Sequence, residues 1–338
     1  MAVTIKDIAK ELNLSRNTVS KVINGGNVPL KTKELVLSKM KELNYKCAYL
    51  DDGKKYRFLL LSAKPLNNMN YFISLISSVE NYCYEKQYDL FQYTYNNKVN
   101  DFERFKSYLK ELNIDGIIAI ECFDKEFIEK LLSLNIPVCF HDFSHTSKKF
   151  PYNYDVVFTN DEESISQMVK TLNLKYKFTK FAFVGDNMHC HSFRKRQIGM
   201  LLGMLYSKIN VNPTAVENIS YPETQFDYSN PNEIEREIKK FKSLPEVFIC
   251  CNDFVARNVC IALKSLNLEV PNDALVVGFD NATESYSLSP TITTFSIDKQ
   301  YLGLEILRVL IDRIENKTLP SRVITISTTL IERESTNR

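Results

Sequence analysis

From Arg57 to the end of the chain, short apolar runs alternate with amphipathic stretches of helical period, and few folds accept that pattern. The runs Phe58–Ser62, Leu90–Thr94, Ile114–Ile120, Pro137–Phe140 and Val156–Phe158 have the length and composition of buried strands. Between them, Ile73–Lys86, Phe102–Leu112, Lys125–Leu134 and Glu162–Leu172 read as helices. A second series has strands at Phe181–Gly185, Val247–Cys251, Leu275–Phe279 and Ile292–Ser296, with helices near Phe193–Ile209, Pro231–Phe241, Asp253–Leu266 and Lys299–Ile314. Strands alternating with helices predict parallel sheets covered on both faces. Right-handed crossovers then leave little besides two doubly wound α/β lobes. In such lobes a small molecule binds in the crevice outside the carboxyl ends of the strands.

The first residues follow a different rule. In Thr4–Asn24, Ile5, Ile8, Ala9 and Leu12 form one apolar helix face, with Thr4 and Asp7 spaced as a capping box. Asn13 tolerates the left-handed backbone that ends a helix, and Ser15 supplies the next N-cap. The second helix turns Val19, Val22 and Ile23 inward and leaves Arg16, Asn17, Ser20 and Lys21 on the open side. A helix of this size enters the major groove of DNA, where Arg and Asn make paired hydrogen bonds to guanine and adenine. The plainer alternative is a polar face that is merely solvated. After the turn Gly25–Asn27, a third helix from about Lys31 to Leu43 places Val36, Met40 and Leu43 on one face. The expected organisation is a helix-turn-helix headpiece over 1–46, a short linker over 47–56 and a two-lobed body over 57–338.

Charge is distributed to match. Met1–Leu50 holds nine Lys and Arg against four Asp and Glu, net +5, and the remainder is net −3. A basic head on a mildly acidic body fits a DNA contact confined to one end. The eight cysteines contain no CxxC pair or zinc-finger spacing. With no leader pattern and no apolar run of membrane-spanning length, a cytoplasmic protein with no membrane contact is expected.

The runs T-I-K-D-I-A (Thr4–Ala9) and S-x-x-T-V-S-K-V-I-N (Ser15–Asn24), and the later Leu43–Tyr45, resemble the headpiece of the lac repressor (LacI/GalR) family. Further on, Asn252–Asp253–x-x-Ala256, Val270–Pro271–x-Asp273, Val276–Asp280, Thr293–Thr294 and Ile331–Thr336 are similar to the same family's second lobe. The body also resembles periplasmic sugar-binding proteins. The resemblance implies that Arg16 and Asn17 read bases, that Lys21 makes a further contact, and that Ser15, Thr18 and Ser20 position phosphates, with Thr4 and Asn24 at the ends of the interface. One stretch departs from the family. The linker, KCAYLDDGKKY, has Asp51, Asp52 and Gly53 where relatives carry an Ala-rich hinge helix ending in a Leu that wedges the minor groove. Coupling through headpiece spacing, more than through hinge folding, is expected.

At the strand ends that should face the crevice stand Asp142, Arg196, Asn252 and Asp280, each with two hydrogen-bonding atoms suited to adjacent sugar hydroxyls. For Asn252 and Asp280 the alternative is helix capping. By resemblance these four contact the effector, and Tyr71 and Phe72 match an aromatic pair that stacks on it. The histidines cluster in crevice loops, but their spacing matches no recognised metal site, and neither metal nor cofactor is expected. Without a phosphate-binding glycine loop, a nucleophile elbow or an assignable acid–base pair, the chain reads as a non-enzyme. The expected function is a repressor that binds a near-palindromic operator as a homodimer and responds to a small molecule, a sugar or sugar derivative. The alternatives are a solute-binding protein and a degenerate regulator with weak DNA binding.

Overall fold

The computed structural model describes residues 4–23, 28–42, 55–62, 70–95, 101–143, 154–186, 190–211, 217–221, 227–287 and 289–338. The chain divides into two compact units, Met1–Lys55 and Tyr56–Arg338.

The first unit contains three helices, α1 (Ile5–Glu11), α2 (Arg16–Ile23) and α3 (Leu30–Glu42). The Asp7 carboxylate accepts from the Thr4 N–H at 2.8 Å and its hydroxyl at 2.7 Å, which fixes the start of α1. Asn13 closes the helix at φ 52°. Ser15 Oγ then accepts from the Thr18 N–H at 3.0 Å and starts α2. Ile8, Ala9, Val19, Val22, Val36 and Met40 bury together, a core close to the minimum for independent folding. The side chain of Ile23, Asn24 and residues 43–54, which include Leu43–Tyr45 and most of the linker, lie outside the described residues.

The second unit holds two parallel sheets. The first comprises β1 (Arg57–Ser62), β2 (Asp89–Thr94), β3 (Gly116–Cys122), β4 (Val138–Phe143), β5 (Tyr154–Thr159) and β11 (Val323–Ile326), ordered β11-β5-β4-β3-β1-β2. The second comprises β6 (Phe181–Asp186), β7 (Glu217–Tyr221), β8 (Val247–Cys250) and β9 (Leu275–Val277), ordered β7-β6-β8-β9. A short antiparallel pair joins β10 (Thr294–Ser296) to β12 (Thr329–Ile331). The helices are α4 (Asn70–Lys86), α5 (Phe102–Glu111), α6 (Lys125–Leu132), α7 (Asp161–Tyr176), α8 (His191–Tyr206), α9 (Pro231–Ile238), α10 (Asp253–Ser265) and α11 (Lys299–Glu315). Both strand orders reverse direction beside the first strand of their sheet, which opens a crevice at the carboxyl edge.

Two features correct the sequence reading. The residue Tyr56, expected in the linker, belongs to the body: it is buried, its ring meets Phe58 and Tyr88, and its hydroxyl donates to Glu315 at 2.8 Å. The two strand–helix series are also not two consecutive lobes. The helix α11, read as part of the second series, packs on α4 and against β3, β4 and β5, and β11 adds a sixth strand beside β5. The chain therefore crosses between the sheets at β5–α7, β10–α11 and β11–β12. A buried charge cluster holds the return crossing. Asp155 on β5 receives Arg313 Nε at 3.0 Å and Nη2 at 2.7 Å, and Arg322 Nη2 at 3.1 Å. Burial pushes the Asp155 carboxyl up, but together the bonds from Arg313 and Arg322 outweigh it and leave it below its ordinary value.

Candidate functional site

Two places gather the residues with chemistry. The first is the outer side of α2. Arg16, Asn17 and Lys21 are exposed, Thr18 and Ser20 are half-buried, and Val19 and Val22 lie underneath in the core. The helix is held at its N-terminus by the Ser15 cap, whose hydroxyl also bonds Thr18 Oγ1 at 2.8 Å. Three polar side chains thus leave a short, anchored helix on one side. Thr4 is exposed at the start of α1 and is engaged with Asp7. Asn24 lies outside the described residues.

The second place is the crevice of the body. Arg196, on the second turn of α8, is 3 % exposed and is its hub. Its Nε donates to Asp161 Oδ1 at 2.8 Å, and one Nη donates to the Cys251 carbonyl. The other Nη stands 3.4 Å from Asp280 Oδ1, and the guanidinium lies over the Phe279 ring, 3.7 Å from its centroid. Burial works against this charge, but Asp161, Asp280 and Asp142 outweigh it and hold the guanidinium protonated. Burial also pushes the carboxyls of Asp280 and Asp161 up, against the pull of Arg196. The helix can sit this close because α8 presents Gly199 and Gly203 to α7: a Cβ on Gly199 would fall on the Glu162 carbonyl oxygen.

Asp142 joins the two lobes. It stands at the end of β4 in the first sheet and accepts from Ser192 Oγ on α8, with the Cys190 thiol 4.0 Å away. Beside it the His191 ring stacks on Phe158 at 4.2 Å, again one element from each lobe. Three acids at these strand ends have positive φ: Glu121 at 51°, Asp142 at 53° and Asp280 at 103°. Backbone of this kind persists only where surrounding structure over-determines it, and it concentrates at binding sites.

Of the crevice residues expected from sequence, Asp142, Arg196 and Asp280 come together. Asp280 caps no helix; its side chain faces Arg196. Asn252 does cap one, accepting the Val255 N–H at 2.9 Å while half-buried. Phe72 is buried, its ring edge-on to His141 at 6.0 Å, and belongs to the core as much as to the crevice. The Tyr71 side chain lies outside the described residues, as do His145 and His189. Sequence reasoning missed Asp161, which looked like an ordinary acid in a helix's first turn, and Ser192, Glu121 and Asp186. For Glu121 and Asp186 the one available signal was their position at the carboxyl ends of β3 and β6; Asp161 and Ser192 open helices. Tyr228 approaches from the loop before α9; burial raises its phenol, and Asp186, Cys190 and Glu121 add to the effect.

Comparison with known proteins identifies the family and the fold. Residues 4–47 match the model of bacterial regulatory proteins of the lacI family, and residues 174–336 match a periplasmic binding protein-like domain. The HTH-type transcriptional repressor PurR of Haemophilus influenzae (strain PittEE) is 30% identical over 329 residues, covering 93% of this chain and 92% of its own. PurR of Pasteurella multocida is 27% identical over 345 residues, covering 98% of each. Among solved structures, a complex of the transcriptional regulator CelR with cellobiose superposes with a TM-score of 0.70 at 20% identity, covering 98% of this chain and 99% of that one. The lac repressor dimer bound to operator and the anti-inducer ONPF gives 0.66 at 20% identity, covering 99% of each. These matches bear out the expected fold of a helix-turn-helix headpiece and a periplasmic-binding-protein-like α/β body. The chain belongs to the LacI family of ligand-responsive, DNA-binding transcriptional repressors.

Proposed function

We propose that α2 reads an operator half-site through Arg16 and Asn17, with Lys21 as a further contact and Ser15, Thr18 and Ser20 on phosphates. The observation that carries this is the exposed polar face of a capped helix over its own buried core. Thr4 and, by the family resemblance alone, Asn24 are further contacts. One headpiece reads too few base pairs for useful discrimination, so the working form is a homodimer on a near-palindromic operator. The dimeric lac repressor on its operator supports that stoichiometry. Such a protein acts in the cytoplasm, where its DNA is, and carries out no catalysis; its homologues are regulators.

The crevice around Arg196, Asp142 and Asp280 binds the effector, with Asn252, Tyr71 and Phe72 as further contacts. A carbohydrate or carbohydrate derivative suits paired oxygens and a guanidinium on an aromatic face, and CelR, which shares the fold, holds cellobiose. Effector binding alters lobe closure because Asp142 and Ser192 belong to different lobes. It biases the regulator only to the extent that it binds the two closure states unequally. Selection of bound sites from randomised duplex DNA tests the first claim. A palindromic consensus is expected, and Arg16→Ala should relax one position per half-site at a cost of roughly 1–3 kcal/mol. A uniform loss over all sequences would reduce Arg16 to a phosphate contact.

A further inference from the structure

Asp280 and Asn281 are consecutive residues with left-handed backbone, at φ 103° and 48°, and neither is a glycine. Such a pair persists only where its surroundings over-determine it. Asp280 Oδ1 accepts no hydrogen bond and lies 3.4 Å from Arg196 Nη2. The backbone of the turn, more than any bond to that oxygen, aims the carboxylate at the guanidinium.

The turn is held from several sides. On β10, the Phe295 carbonyl accepts the Asp280 N–H at 2.9 Å, and Thr294 Oγ1 accepts the Asn281 N–H at 3.2 Å. Asn281 Nδ2 donates to Ser296 Oγ at 3.3 Å. Asp253, which opens α10, accepts the Ala282 N–H at 2.7 Å. Arg333, just past β12, supplies the shortest of these bonds: its Nη2 donates to Asn281 Oδ1 at 2.6 Å. Its Nη1 donates to Ser285 Oγ at 2.9 Å and to the Ile292 carbonyl at 2.8 Å, and its own N–H is fixed on Thr293 Oγ1 at 2.8 Å. A guanidinium can do this because its donors form a rigid planar fork. The Asn281 amide is thus gripped at its oxygen by Arg333 and at its nitrogen by Ser296. β10 and β12 pair with each other and lie at two of the crossings between the sheets, so the turn is tied to segments that join the lobes.

Resting on the reading of this crevice as the effector site, we infer that Arg333 is a positioning residue for it. Acting through Asn281, Arg333 sets the Asp280 carboxylate against Arg196 and so fixes an acceptor that the effector meets. The plainer role is to stitch the loop between Asn281 and Ile292 together. The two roles differ in what they do to the Arg196–Asp280 pair.

A double-mutant cycle of Arg196→Met and Asp280→Asn, followed by urea denaturation of the full chain, measures that pair's coupling. The cycle is repeated in Arg333→Met, in Asn281→Gly and in both together; glycine removes the amide yet accepts the left-handed backbone. Arg333→Lys, which keeps the charge but not the fork, serves where Arg333→Met does not fold. Lys299, which also acts on Asp280, is unchanged throughout. The pair should be coupled in the wild type, and the coupling should fall to about half or less in each background. Adding Arg333→Met to Asn281→Gly should lower it no further. Lower stability in the Arg333 variant with the coupling intact overturns the inference, as does an uncoupled pair in the wild type. The cycle needs no ligand, so either result leaves the crevice reading standing. That reading fails instead if glucose, ribose or cellobiose stabilises the wild type in a thermal-shift titration and the shift survives both Arg196→Met and Asp280→Asn. Arg333 would then position nothing that an effector meets.

Discussion

Replacing Arg196 with Met keeps length and apolar bulk but removes the charge. Asp161 and Asp280, whose side chains are 2% and 12% exposed, would then lose the guanidinium they share, leaving Lys299 as a cation acting on Asp280. Breaking a buried pair in this way costs about 3–5 kcal/mol, because the remaining charge is left desolvated. For a unit the size of Tyr56–Arg338, an unfolding entropy of about 0.6 kcal/mol/K converts that into a fall of roughly 5–8 °C in Tm. The loss depends on pH in a definite direction. Burial already raises both carboxyls, and without Arg196 their folded-state pKa values rise further. A carboxyl raised on folding contributes stability below its unfolded pKa and loses it as pH climbs through the folded value. The deficit of Arg196→Met is therefore largest near pH 8 and shrinks toward pH 5, where the two acids take up protons. Calorimetry or chemical denaturation of variant and wild type across that range measures it. An equal deficit at both ends would refute the electrostatic account and leave the contact with Phe279 as the residue's main contribution.

Other substitutions probe the parts that hold the two sites. Arg313→Met should cost about 3 kcal/mol, since it strips two bonds from the buried Asp155 carboxylate and one from the Pro320 carbonyl. Arg322→Met, at a residue whose side chain is 29% exposed, should cost clearly less by urea denaturation. Gly199→Ala drives a methyl onto the Glu162 carbonyl; a loss of about 1–3 kcal/mol and weaker effector binding are expected, the latter because α8 carries Arg196 away from Asp161. Ser15→Ala removes the cap on α2 and should cost the headpiece about 1 kcal/mol, seen as faster hydrogen exchange at Thr18 with the body's transition unmoved.

The elements were legible because parallel strands bury both faces and read as unbroken apolar runs such as Ile117–Ile120. The interleaving of the lobes was not. Val323–Ile326 is half exposed along an outer edge, so its pattern is weak, and the partner that completes it, β5, lies far away in sequence. Arg196 and Asp280 could be named because each follows or opens an element at the carboxyl edge. Asp161 could not, since an acid in the first turn of a helix usually serves only the helix dipole. The left-handed backbone of Glu121, Asp142 and Asp280 leaves no trace in composition. At Asn252 the simple capping explanation accounts for the contact that is formed.

The central claim, that α2 reads DNA from a phosphate-anchored position, is tested most directly by fluorescence anisotropy with a selected operator over a salt series. The account predicts a steeply negative slope of log affinity against log salt, reduced by about 1 per monomer in Lys21→Ala if that lysine meets a phosphate. Scrambled duplex should bind far more weakly at physiological salt. A flat slope, or equal affinity for operator and scrambled duplex, would contradict it.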